Sequence, residues 1–231
     1  MKPAPGAAGG PLGYLGGSFD PVHLGHLQLA RDAERALGLE SLSFVPAGQP
    51  WQKPGRAPAA RRLEMLELAL AEEPRWHIDR RELDRAGPTY TVDTARALRA
   101  QAGPARPLVW ILGQDQLERL PTWHRWEELL ELMHFAVAAR AGLPPGADAP
   151  PAALAARFAA PGELAGAPAG RLARFHMRPV DCSATAIRRA LRAGDVAYAA
   201  RWLPPAVLDY LRRQPLYTEE NGDEEAATPG D

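Results

Sequence analysis

The run Gly16-Gly17-Ser18-Phe19-Asp20-Pro21-Val22-His23-Leu24-Gly25-His26 brings two imidazoles, a hydroxyl and a turn together directly after an apolar segment. Two histidines beside a helix start suit the binding of an anion, because a helix N-terminus offers unpaired N–H groups and a positive dipole end. Gly16 and Gly17 let the backbone approach a ligand with no Cβ in the way. Asp20-Pro21 makes a turn, and after Gly25 the residues Leu27, Ala30, Ala33 and Leu37 recur at the spacing of one helix face. The stretch therefore reads as strand, phosphate-binding corner and helix. Zinc fits it less well, since the sole cysteine is Cys182 and no carboxylate stands at a ligand-like spacing beside the two histidines.

The elements that must position this corner follow from the alternation of short apolar runs with amphipathic stretches. That alternation is the pattern of a parallel sheet with crossover helices. Strands are expected at Leu12–Leu15, Leu42–Val45, Trp76–Asp79, Leu108–Leu112, His134–Ala138 and Arg174–Met177. Helices are expected at His26–Leu37, Ala59–Ala71, Thr91–Ala102, Trp126–Met133, Thr185–Arg192 and Pro205–Arg213. Leu63, Leu66 and Leu70 share one face of the second, and Val92, Ala95 and Leu98 one face of the third; both stripes read as core. The fold class is α/β, a Rossmann-like doubly wound parallel sheet in a single domain with C-terminal helices. Such a sheet binds ligands outside the carboxyl ends of its strands. If the strands are parallel, the corner after strand one, the loop after strand two, Gly113 after strand four and Ser183 after the last strand converge on one crevice.

Two stretches break the rhythm. Pro46–Pro58 holds four prolines and two glycines and is long for a βα connection, as binding loops often are. Ala141–Gly170 is rich in Ala, Pro and Gly, with one weak helix expected at Ala152–Ala159. Residues 1–9 read as a disordered lead-in, 10–217 as the α/β domain and 218–231 as an acidic disordered tail.

The 231 residues suffice for one substantial core. The formal charge is −1, but Glu219, Glu220, Asp223, Glu224, Glu225 and Asp231 all lie in the tail, so the rest of the chain carries +5. A mildly positive body suits a polyphosphate and falls short of the dense basic face of a nucleic-acid binder. Of 27 basic side chains all but Lys2 and Lys53 are arginine, which in a chain so rich in Ala, Gly and Pro points to coding bias. No apolar run approaches the ~18 residues of a membrane span, and no basic-then-apolar leader opens the chain. The expected location is cytoplasmic, which the single cysteine does not contradict. Whether the chain forms a homo-oligomer stays open.

At these residues the chain resembles a known family. Gly-Ser-Phe-Asp-Pro-Val-His-x-Gly-His resembles the signature of the nucleotidyltransferase superfamily with a His-x-Gly-His motif, and Ser183-Ala184-Thr185-Ala186-Ile187-Arg188 resembles its C-terminal block. Gly113-Gln114-Asp115 followed by Pro121-Thr122-Trp123-His124 is similar to bacterial nicotinate mononucleotide adenylyltransferases. The three blocks stand in the family's order from about Pro11 to Tyr217.

The resemblance implies adenylyl transfer from ATP, with magnesium, to nicotinate mononucleotide. The attacking phosphate is already an anion, so the protein's work is positioning and charge neutralisation, with no general base needed. Carried over, His26 is the main stabiliser of the α-phosphate, His23 its partner and Arg188 a forked phosphate ligand. Gly16, Gly17, Ser18, Phe19, Gly113, Asp115, Ser183 and Thr185 complete the ATP side. Tyr90 and Thr91 are implied to meet the nicotinate carboxylate, which needs donors and no acceptors. Trp123 is implied to stack on the pyridine ring. In many relatives the loop after strand two reads Pro-Pro-His-Lys or similar, whereas here it is Pro50-Trp51-Gln52-Lys53; Lys53 is expected on the mononucleotide side, to supply the charge that Gln52 lacks. His124 stands where relatives often have Tyr. Magnesium is inferred from polyphosphate chemistry, with no carboxylate cage visible.

Three other readings are weaker. A different adenylyltransferase or a cytidylyltransferase of the superfamily does not account for the Trp123 block. A binding-only sensor would be expected to have lost His23, His26 or Arg188. An aminoacyl-tRNA synthetase fragment would need a lysine-rich second signature that a chain with two lysines cannot hold.

Overall fold

The computed structural model of the chain describes residues 9–48, 57–140 and 150–218. Trp51, Gln52 and Lys53, the first eight residues and the acidic tail from Glu219 onward lie outside the described residues. Seven strands are described: β1 (Leu12–Gly17), β2 (Ser41–Pro46), β3 (Trp76–Ile78), β4 (Leu108–Gly113), β5 (His134–Arg140), β6 (Phe158–Ala159) and β7 (Leu172–Met177). They form one sheet in the order β3-β2-β1-β4-β5-β7-β6, every pair parallel. The helices are α1 (Leu24–Leu37), α2 (Ala59–Leu70), α3 (Thr91–Ala102), α4 (Gln114–Arg119), α5 (Trp126–Leu132), α6 (Ala152–Ala155), α7 (Ala184–Arg192), α8 (Val196–Trp202) and α9 (Pro205–Arg213). This is the Rossmann-like α/β architecture expected from the alternating pattern.

A parallel sheet covered on both faces needs strands that are apolar throughout. β4 meets that need, with Leu108, Val109, Trp110, Ile111 and Leu112 all buried. One core lies between the sheet and α1, α2 and the C-terminal helices; the other lies between the sheet and α3 and α5. In α1 the expected face, Leu27, Ala30, Ala33 and Leu37, is buried, and Gly38 ends the helix at φ 59. In α3 Val92, Ala95 and Leu98 are buried as expected.

Several boundaries differ from expectation. β1 runs through Gly16 and Gly17, which pair with Val45 and Pro46, so the turn begins at Ser18 and not at the glycines. In α2 the buried face is Arg62, Met65, Leu66 and Leu70, with Leu63 half-buried; an arginine has taken a core position. The segment expected as a helix from Ala152 to Ala159 stops at Ala155, and Phe158–Ala159 instead adds a short edge strand to β7. α4 and α8 have no counterpart among the helices expected from the periodicity.

The chain runs from β1 outward through β2 to β3, then returns to the middle to continue from β4. The order thus reverses between β1 and β4, and a crevice opens there at the carboxyl ends of the strands.

Candidate functional site

A cavity of about 400 Å³ occupies that crevice. Its wall includes one group joined by the Phe19–His26 and Thr185–Arg188 contacts, with Ser18 beside them, and a second of Tyr90, Thr91, Trp123 and His124, joined by the Tyr90–His124 contact. Gly16, Gly17 and Gly113 also line it. The starts of α1, α3 and α7 all border it, so three helix N-termini present donors and positive dipole ends to one space.

The two glycines of the corner have a cause within the protein itself. A Cβ on Gly16 would come within 2.2 Å of the Trp110 indole, and one on Gly17 within 3.0 Å of the Phe19 ring. Close approach is required, as expected, but by packed aromatic side chains. Phe19 is buried, holds the left-handed φ of 49°, and packs its ring edge-on to His26 with centroids 5.1 Å apart.

The histidines take different places. His26 is half-buried on the cavity wall, whereas His23 is buried behind it, stacked ring on ring at 3.8 Å. The backbone N–H of His23 donates to His26 Nδ1 at 3.2 Å, so Nε2 is the nitrogen of neutral His26 that carries a proton. Burial pushes the His23 imidazole down to about 4, leaving it neutral near pH 7. Its Nδ1 lies 3.4 Å from Cys182 Sγ, and burial pushes that thiol up.

Arg188 is held in place by contacts to the corner. Its Nη1 donates to the Asp20 carbonyl at 2.7 Å and lies 3.7 Å from Asp20 Oδ2, and its Nη2 donates to Thr185 Oγ1 at 3.3 Å. Asp20, 1 % exposed, also accepts from the Tyr217 hydroxyl at 2.6 Å and from the Ala57 N–H at 3.2 Å. Burial first, and then the Asp20 charge, push the Tyr217 phenol far up, so it stays a neutral donor. Arg188 is thereby distinguished from exposed Arg189 one residue on.

In the second group Tyr90 caps α3 and its ring lies 4.7 Å from that of His124. Trp123 is half-buried against the second core. Arg96 of α3 grips Glu128 of α5 through Nε at 2.6 Å and Nη2 at 2.9 Å, and Arg125 adds a 2.7 Å contact to the same carboxylate.

Two expected residues are not on the wall besides His23. Asp115 is exposed and accepts from Gln116 Nε2, and it is Gln116 that lines the cavity. Ser183 spends its hydroxyl on capping α7, accepting from the Ala186 N–H at 3.2 Å. Other residues enter unannounced: Arg62, Trp110, Tyr217, and Glu82, a buried wall residue whose carboxyl is pushed up by burial and accepts from Thr94 Oγ1 at 2.7 Å. Among the described residues no three His, Cys, Asp or Glu side chains come together as a metal cluster, and no helix is long and apolar enough to cross a membrane.

Residues 14–190 match the cytidylyltransferase-like family model. A protein of Laribacter hongkongensis named "Probable nicotinate-nucleotide adenylyltransferase" is 45% identical over 216 residues, covering 91% of this chain and 96% of the relative. One of Bordetella petrii with the same name is 46% identical over 210 residues, covering 89% and 98%. In structure, the chain is similar to the Plasmodium falciparum nicotinic acid mononucleotide adenylyltransferase complexed with NaAD, with a TM-score of 0.68 over 90% of this chain and 98% of that one. At 15% identity that likeness speaks to the fold alone.

Proposed function

The chain belongs to the cytidylyltransferase-like family and, within it, to the nicotinate-nucleotide adenylyltransferases, and from that premise we propose that the cavity performs adenylyl transfer from ATP to nicotinate mononucleotide. An oxygen of the mononucleotide phosphate forms a bond to the α-phosphorus of ATP. The bond from that phosphorus to the bridging oxygen breaks, and pyrophosphate leaves with the electron pair. The products are nicotinate adenine dinucleotide and pyrophosphate, a step of NAD biosynthesis.

The observation that carries this reading is one cavity whose wall holds both a set of residues that suits the phosphates and a set that suits the pyridine carboxylate. The His26 group offers Nε2–H, the Arg188 fork and helix-end amides to the phosphates, where charge builds on the transferring group. Preorganised donors stabilise that charge without first having to reorient. The Trp123 group offers a flat indole to a flat, electron-poor ring, worth roughly 1 kcal/mol. The α3 N-terminus at Tyr90 and Thr91 offers donors to the nicotinate carboxylate, which favours the acid over the amide form by leaving fewer groups unpaired. Magnesium enters as part of the substrate, carried on the triphosphate. Lys53 is proposed to add charge on the mononucleotide side.

Pyrophosphate release by the purified protein, with MgATP and a panel of pyridine mononucleotides, tests the reading. Release is expected with nicotinate mononucleotide and less with the nicotinamide form; ATP binding with no release on any acceptor would overturn it.

A further inference from the structure

Arg62 of α2 is 1 % exposed, and its guanidinium donates to four backbone carbonyls. Nη1 reaches Ser18 O at 2.8 Å, Nη2 reaches Ala47 O at 2.7 Å and Gly48 O at 3.0 Å, and Nε reaches Ala57 O at 3.0 Å. These carbonyls belong to the corner after β1, the chain just beyond β2 and the approach to α2. Burying a guanidinium is unfavourable unless its donors are satisfied. Here the backbone of the phosphate corner itself supplies acceptors.

Arg62 is absent from the cavity wall, whereas Ser18 and Phe19 are on it. The Ser18–Phe19 peptide is trans, and in a trans peptide the carbonyl and the N–H point in opposite directions. Drawing the Ser18 carbonyl toward Arg62 therefore turns the Phe19 N–H away from Arg62. No backbone carbonyl among the described residues accepts from that N–H. The conformation is one that non-glycine residues rarely adopt, so it needs a hold, and Phe19 has two: its buried ring and the Arg62 bond.

We propose that Arg62 is a positioning residue for the nucleotide: it aims the Ser18–Phe19 peptide so that the Phe19 N–H donates to the triphosphate, and its buried charge polarises that peptide. This rests on the adenylyl-transfer reading. A positive charge on the carbonyl side of a peptide strengthens the hydrogen bond its N–H makes on the other.

The wild-type enzyme is measured first, because failure to release pyrophosphate from ATP and nicotinate mononucleotide would strike the reaction and not Arg62. In an active enzyme, Arg62→Met is expected to raise KM for ATP about tenfold, the scale of one lost charge-assisted hydrogen bond, while KM for the mononucleotide moves less. In protein labelled with 15N-phenylalanine, the Phe19 amide resonance is expected to shift when inorganic tripolyphosphate is added to wild type, and to shift less in the variant. Arg62→Lys keeps the charge and three donors and should fall between. If Arg62 only held the fold together, a folded variant would melt lower yet keep the wild-type KM for ATP and the wild-type Phe19 response, and that result overturns the proposal. Should Arg62→Met not fold, Arg62→Lys carries the test on the same two readouts, with wild-type values again overturning it.

Discussion

Around His26 the cavity's donors are fixed by backbone hydrogen bonds and buried charge, whereas around Trp123 the walls are aromatic rings on segments joined by half-exposed ion pairs. The first region has Arg62, Arg188, Asp20 and Tyr217 pinning one turn of chain from several sides. The second has Arg96, Glu128 and Arg125 joining α3 to the segment that carries Trp123. The contrast follows from the ligands proposed for each. A phosphate in transfer needs donors held at fixed angles, since hydrogen bonds weaken steeply off axis. A stacked ring needs area, and tolerates small shifts in the plane.

The largest expected effect lies in the first region. His26→Ala should lower kcat by about a hundredfold or more, the scale for loss of one transition-state donor, measured by pyrophosphate release. A loss of only a few-fold would mean that directed donors matter no more in this region than rings do in the other.

Acid should also act through the first region. Folded His23 stays neutral down to about 4, while in the unfolded chain it takes up a proton as pH falls through 6.5. The stability it contributes is therefore complete above about pH 6.5 and lost progressively as pH falls toward 4, by up to about 2–3 kcal/mol. Denaturant unfolding at pH 7.5 and pH 4.5 measures it, and His23→Gln should flatten the difference. His134, also pushed down mainly by burial, adds a slope of the same sign that the variant keeps.

Smaller effects belong to the second region. Trp123→Ala should weaken nicotinate mononucleotide about fivefold, for ~1 kcal/mol of stacking, and leave ATP affinity unchanged. Equal losses for both substrates would erase the division of labour. Glu128→Gln should cost under about 1 kcal/mol of stability, because its ion pairs are partly exposed, and should alter KM for the mononucleotide before that for ATP.

The sheet was legible because buried parallel strands announce themselves as apolar runs, and six of the seven were placed within about two residues of their observed ends, a normal spread for such boundaries. β6 falls in the segment expected as a helix over Ala152–Ala159; two residues paired only along one edge leave no alternating pattern to show a strand. Gly16, Gly17, Ser18, Phe19 and His26 of the corner, with Arg188, Tyr90, Thr91 and Trp123, were legible as motif residues and reach the cavity, whereas His23, Asp115 and Ser183 do not. What was hidden depends on contacts between distant parts of the chain. Tyr217 meets Asp20 across 197 positions, and Cys182 meets His23 across 159. Arg62 was masked by the abundance of arginine, although one signal was present: it falls on the apolar stripe with Met65, Leu66 and Leu70, where a solvated arginine has no place. The reason for Gly16 was likewise out of reach, because Trp110 comes beside it only once β1 and β4 pair.

The most direct measurement is a crystal structure with nicotinate adenine dinucleotide bound. The account predicts its bridging phosphates within hydrogen-bonding distance of His26 Nε2 and its pyridine ring face-on to Trp123. A dinucleotide bound with its phosphates away from His26, or its pyridine away from Trp123, would contradict it.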